Sequence, residues 1–282
     1  MRIGIITLFG KNGQNFSICI CMYESLKYRI GVLYKVLIYW SSSKTKRELP
    51  LILSYQKSGR TWVRFFVANY IRTRNSYSRE VDWDTFTELT PGLLGTHAYR
   101  HSVLFSHDVK ARYLVKGRRV VFVVRNPLDI ALSYYYFHKK RNGVRSKSVQ
   151  EFVAKEFNWN DFISKINKFQ EALARSQDTY LLSYEELLIN PNMLFRDLIN
   201  FLFNRVDELD FVQAFENSKK ESMSKLEAKR FSNLSGEDRH VRSGTSGEFS
   251  NVLEPRLINS IKVKLESRLS NGPLKSQYLL GW

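Results

Sequence analysis

The chain has 282 residues, of which 43% are hydrophobic and 14% aromatic, and its 44 Lys and Arg against 27 Asp and Glu leave a net charge of +17. That is too apolar for a disordered chain and enough for the core of one large domain or two small ones. Only two cysteines occur, Cys19 and Cys21, which excludes a disulfide scaffold and a multi-cysteine zinc site. The early apolar runs at 3–9 and 30–33 are far shorter than the roughly 20 residues a membrane-spanning helix needs. No secretory leader pattern is visible, so the cytoplasm is the expected compartment. The charge favours an anionic partner: a phosphorylated cofactor, a nucleic acid or a membrane surface.

In chain order, residues 1–49 read as an N-terminal extension, partly helical. A short strand is expected within 2–9 and a helix over 27–40, where Ile30, Leu33, Leu37 and Trp40 share a face. Basic and aromatic residues alternate over 27–47, as in a helix lying on a membrane surface or one packed on a core with a solvated basic face. From Pro50 the pattern is regular. Strands are expected at 51–55, 103–105, 120–124 and 179–183. Helices are expected at 61–74, 128–140, within 149–177, near Glu185, after Pro191, over 207–229 and over 255–269, with 231–250 as a loop. Strands alternating with helices predict a three-layer α/β domain over 50–282, a parallel sheet flanked by helices as in P-loop nucleotide kinases.

Three segments carry chemistry. Between the first strand of this domain and its helix runs Lys57-Ser58-Gly59-Arg60-Thr61-Trp62. Unpaired amides at a helix start favour an anion, Gly59 lets the backbone curl, Lys57 adds charge and Thr61 a hydroxyl. No G-x-x-x-x-G-K-[ST] loop occurs, so this is not a Walker A site. After the third strand comes Arg125-Asn126-Pro127-Leu128-Asp129, with Ser133 eight residues past Arg125. Arg125 at a strand's C-terminal end and Ser133 on the next helix can address one anion at the mouth of the sheet. Alternatively, Arg125 pairs with Asp129. The third segment is Arg242-Ser243-Gly244-Thr245-Ser246-Gly247-Glu248-Phe249.

Together these resemble the 3′-phosphoadenylyl-sulfate (PAPS)-dependent sulfotransferases of the cytosolic type. Residues 55–62 are similar to that family's Y-P-K-S-G-[TR]-T-W loop, with Gln56 in place of proline; 124–134 to V-R-[ND]-P-x-D-x-x-x-S-Y; 184–187 to Y-E-D-L; 242–249 to R-x-G-x-x-G-x-W, with Phe249 for tryptophan; and 280–282 to L-G-[YW]. The resemblance implies that Lys57, Ser58, Gly59, Arg60 and Thr61 hold the 5′-phosphosulfate and that Trp62, Tyr184 and Met223 lie on the adenine side. It implies too that Arg125, Ser133, Arg242, Ser243 and Gly244 hold the 3′-phosphate. Arg60 stands where many members have threonine, exchanging a hydroxyl for a charge.

The base that takes the acceptor proton is expected to be His107, which follows the short strand at 103–105; His97 and His101 are the runners-up. Where the family has a lysine two residues before its histidine this chain has Phe105, so a second cation is missing or comes from Lys110 or Arg60. Transfer is expected to need no metal, since no group of residues has metal-ligand spacing. The expected function is movement of a sulfuryl group from PAPS to a hydroxyl or amine acceptor: an alcohol, a phenol, a glycan or a lipid head group. Two alternatives remain at this stage: a nucleotide-kinase-like phosphotransferase, and a non-catalytic protein binding an anionic surface or nucleic acid. No specific nucleic-acid motif is present.

Overall fold

The computed structural model describes residues 5–9, 15–19, 49–76, 81–82, 85–86, 89–90, 92, 103–139, 145–230 and 245–280. The chain divides into two compact units, Met1–Arg47 and Glu48–Trp282. In the first unit, β1 (Ile5–Phe9) pairs antiparallel with β2 (Asn15–Cys19), with Ile5 opposite Cys19 and Phe9 opposite Asn15. The first strand matches the expectation; the second was not foreseen. The expected helix at 27–40, and the surface-lying reading of 27–47, fall outside the described residues.

The second unit is built on a four-stranded, wholly parallel sheet. Its strands are β3 (Leu51–Ser54), β4 (Leu104–Ser106), β5 (Arg119–Val124) and β6 (Asp178–Ser183), in the order β4-β3-β5-β6. All four were expected, the first three as short apolar runs. Such runs are what a sheet buried on both faces demands, and Leu51, Ile52, Leu53 and Val120 to Val123 are fully buried. The chain leaves β3 for β4 on one side, then crosses back to β5 on the other. Between the C-terminal ends of β3 and β5 the connections diverge, and open parallel sheets bind ligands in the crevice so formed.

Helix α1 (Arg60–Arg74) follows β3, and α2 (Pro127–Lys139) follows β5 with Pro127 at its first position, where a missing N–H costs nothing. A short helical turn, Val149–Glu151, widens into a π turn, Phe152–Glu156, before α3 (Trp159–Leu173). The helical stretch expected within 149–177 is therefore divided at Phe157-Asn158, where the Asn158 side chain accepts from the Asp161 amide and restarts the helix. Next come α4 (Tyr184–Ile189), α5 (Pro191–Phe203), α6 (Glu208–Asn217) and α7 (Lys220–Arg230), so the single helix read over 207–229 is two. Beyond the loop lie α8 (Phe249–Val252), α9 (Pro255–Arg268) and α10 (Pro273–Leu279), the last not foreseen.

The core over one sheet face is aromatic. Phe66 of α1 stacks on Phe195 of α5 at 4.0 Å between ring centroids and meets Phe211 of α6 at 5.8 Å. All three are essentially fully buried, and each such ring contributes about 1.5–3 kcal/mol. This cluster fixes α1 against the sheet, and with it the loop at its N-terminus.

Candidate active site

The loop from Tyr55 to Gly59 turns tightly off the end of β3. Lys57 has φ +66° and Gly59 φ +84°, both left-handed. Gly59 caps α1 without a side-chain bond, the first turn holds no acidic residue, and Trp62 N–H donates to the Gly59 carbonyl at 3.0 Å. The positive end of α1 therefore opens at this turn, which suits an anion. Ser58 is completely buried and its hydroxyl has no partner. A buried polar atom so placed fits a ligand oxygen.

Arg125 joins the two sides of the crevice. From the end of β5 its Nη1 donates to the Lys57 carbonyl at 3.1 Å and its Nη2 to the Thr245 carbonyl at 3.3 Å. Its Nε is buried without a partner. The guanidinium lies 4.5 Å over the Tyr184 ring, and Gly59 also lies against that ring. Tyr184 is therefore buried support for the loop, and burial raises its hydroxyl above the usual range. The Lys57 ammonium sits 3.1 Å over the Phe137 ring of α2. Ser133 is half-buried on α2, two turns into the helix, and Thr61 is half-buried at the start of α1.

On the face expected to meet adenine, the half-buried Trp62 meets Tyr184 and Phe195 edge-on at 6.4 and 5.2 Å, and its indole N–H donates to the Ser218 carbonyl at 3.0 Å. Met223 is buried in the cluster against which Trp62 packs. Arg242, Ser243 and Gly244 lie outside the described residues. The described continuation of their loop is anchored by two carboxylates that sequence reasoning gave no such part. Asp129, buried in the first turn of α2, accepts from the Gly247 amide at 2.7 Å and the Ser246 hydroxyl at 2.9 Å. Glu185 accepts from the Asn126 amide at 2.9 Å and from Ser246 at 3.3 Å. Asp129 thus serves the loop rather than Arg125; the signal was the acid of the R-N-P-x-D segment itself.

His107 follows β4 directly. Leu53 is paired with Ser106, so His107 leaves the sheet level with the root of the loop. His107 is exposed as a residue, yet its imidazole is crowded. Desolvation first, then the charge of Arg60, lower it to about 4; Lys165 and Arg64 add to this and Asp108 opposes it. The ring is neutral at neutral pH and able to accept a proton. Arg60, not Lys110, is the loop cation whose charge acts on it. Phe105 is buried in the core. His97 and His101 lie outside the described residues. A second aromatic group borders the loop: the Tyr134 hydroxyl donates to Gln56, and burial pushes it up to about 12.

A family model for the sulfotransferase domain matches residues 50–272. The chain belongs to the sulfotransferase domain family. Among relatives of this sulfotransferase, cytosolic sulfotransferase 1 of Arabidopsis thaliana is 23% identical, the match covering 93% of this chain and 91% of the relative. Sulfotransferase 2A6 of Mus musculus is 23% identical over 73% of this chain and 79% of its own length. The fold is that of mouse sulfotransferase SULT7A1, solved with PAP (TM-score 0.57, 14% identity, 82% of this chain and 90% of the other). It is also that of retinol dehydratase, solved with retinol and PAP (TM-score 0.59, 14% identity, 96% and 92%). Among the described residues of this sulfotransferase, no group of three or more His, Cys, Asp or Glu could hold a metal ion, and no helix is long and apolar enough to cross a membrane.

Proposed function

We propose that this sulfotransferase takes the sulfuryl group of PAPS and moves it in line, without a metal, to a hydroxyl or amine acceptor. Lys57 and the amides of 58–61 hold the 5′-phosphosulfate and stabilise the charge left on the phosphate oxygen as its bond to sulfur breaks. His107 takes the proton from the acceptor atom that forms the new bond to sulfur. Arg125 and Ser133, with Arg242, Ser243 and Gly244, hold the 3′-phosphate. Trp62, Tyr184 and Met223 border the adenine. Residues 50–282 form the working domain and 1–49 an extension. The cytoplasm is the proposed compartment, in line with relatives named cytosolic.

The observation that carries this reading is Arg125, which ties the Lys57 loop to the Thr245 loop across the crevice and keeps one buried donor without a partner. Calorimetric titration with 3′,5′-diphosphoadenosine (PAP) and 5′-AMP tests it. One charge-assisted hydrogen bond is worth roughly 1.5–3 kcal/mol, so PAP should bind at least about tenfold more tightly. Arg125→Ala should narrow that gap, and transfer should survive EDTA. Equal affinity for the two nucleotides would remove the clamp.

A further inference from the structure

The loop and its helix divide the site in two. The groups assigned to the 3′-phosphate, with Tyr184, lie over β5 and β6: Arg125, Tyr184 and the anchored loop at 245–249. Trp62 faces that way, toward Tyr184, Phe195 and Ser218. At 100° per residue, Arg60 and Arg64 share the other face of α1, about 200° and 160° round from Trp62. The contacts agree. Arg64 Nε donates to the Thr90 carbonyl at 2.5 Å, and its guanidinium packs 4.6 Å over Phe86 and 5.8 Å over Phe105 of β4. The strand that carries Phe105 ends at Ser106, one residue before His107, and the charges of Arg60 and Arg64 both act on the His107 ring.

Among the described residues, this half of the site carries charge with no counter-ion. Like charges four apart on a helix repel. Burial lowers Arg60 and Arg64 to about 10, with Arg60 adding to the effect on Arg64, so both stay cationic at neutral pH. Neither makes an ion pair, and Arg60 makes no hydrogen bond among the described residues. The nearby acids are engaged elsewhere. Asp161 pairs with Lys165 at 2.7 Å, and Asp108 caps the turn after β4 by accepting from the Lys110 amide at 2.9 Å. Two partly buried guanidiniums beside the base, without a carboxylate, are poised for an anion brought by a ligand. Because the amides of 58–61 and Lys57 take the 5′-phosphosulfate and the rest of the nucleotide lies on the opposite face, the ligand left for the two guanidinium side chains is the acceptor.

We propose that the acceptor is itself an anion, carrying a carboxylate or phosphate close to its hydroxyl, and that Arg60 and Arg64 hold this charge beside His107. The inference rests on the sulfotransferase reading above. An anion seated on the two arginines also offsets the charges that, after desolvation, depress the basicity of His107.

The test uses the full chain at PAP concentrations that saturate each variant, so that the phosphate sites are filled. Benzoate and phenyl phosphate are titrated against the uncharged benzamide and phenol. The two anions should bind at least tenfold more tightly than their uncharged counterparts, and whichever binds better names the group. Arg60→Gln and Arg64→Gln should each bring the ratio to within threefold of unity, whereas Arg64→Lys should retain most of it. Arg64→Gln should leave PAP affinity unchanged. Equal binding of charged and uncharged probes, absence of anion binding, or a preference that survives both glutamine variants would overturn the proposal while PAP binding stands. A chain that binds PAP no better than AMP would overturn the nucleotide reading and this inference with it.

Discussion

At the scale of single residues, the loop is shaped by what is missing at Gly59. Its φ of +84° strains any side chain, and a Cβ there would come within 2.2 Å of Tyr184 Cδ2. Gly59→Ala therefore has to move the tyrosine ring off the Arg125 guanidinium as well as bear the backbone cost, about 1–3 kcal/mol for the backbone alone. Denaturant unfolding should show a loss of that size, and PAP affinity should fall about tenfold because Arg125 loses its support. An affinity equal to the parent's would separate Tyr184 from the clamp. His107 is bound by a different constraint. Its ordinary value of 6.5 is lowered to about 4, so the folded chain resists protonating it. In the free protein, proton resonances of this ring should titrate near pH 4, and the acid limb attributable to it in kcat/KM should lie there rather than near 6.5. His107→Ala should lower kcat by roughly 10²–10⁴-fold and leave PAP affinity unchanged. Normal turnover in folded His107→Ala would move the base elsewhere.

At the scale of elements, the clearest test lies in the carboxylate that anchors the 245–249 loop. Asp129 accepts two hydrogen bonds from that loop while 2% exposed. Asp129→Asn replaces one acceptor oxygen by a donor facing other donors. Limited proteolysis should cut the loop faster, and PAP affinity should fall about tenfold, since a lost bond to a charged group is worth roughly 1.5–3 kcal/mol. Unchanged cleavage and affinity would make the anchor dispensable. The sequence held much of this site but not its wiring. Strands β3, β4 and β5 were legible because parallel strands buried on both faces read as unbroken apolar runs, and the loop at 55–59 because strand, glycine and helix are adjacent in sequence. What escaped depends on partners far away in the chain. The break between α6 and α7 is one case. Ser218 is buried, and its carbonyl leaves the helical ladder to accept from Trp62, 156 residues away. Its hydroxyl also accepts from Asn69 at 3.1 Å. No local propensity announces a break of that kind, so 207–229 reads as one helix. The β1–β2 hairpin is the opposite case, for Asn12-Gly13 between two strand-like runs is a local turn signal.

At the scale of the whole molecule, the last expectation concerns where the working domain begins. All four parallel strands lie between Leu51 and Ser183, and the compact second unit starts at Glu48. The two residues before β3 have structural work to do. Arg118, 2% exposed, donates from Nη1 to the Leu49 carbonyl at 2.8 Å, and the Leu104 amide donates to the Pro50 carbonyl at 3.0 Å, which sets the first rung between β3 and β4. A chain beginning at Glu48 keeps both carbonyls, the sheet and every group assigned to the nucleotide. It should unfold in one cooperative transition and bind PAP within about twofold of the full chain, as a pairwise bond left intact predicts no larger change. A chain beginning at Leu51 loses both acceptors and takes one hydrogen bond from a buried guanidinium, which costs about 1–3 kcal/mol. Circular dichroism melts and PAP titration of the two truncations separate these outcomes. If the chain from Glu48 failed to fold or to bind PAP, residues 1–47 would belong to the working domain and not to an extension of it.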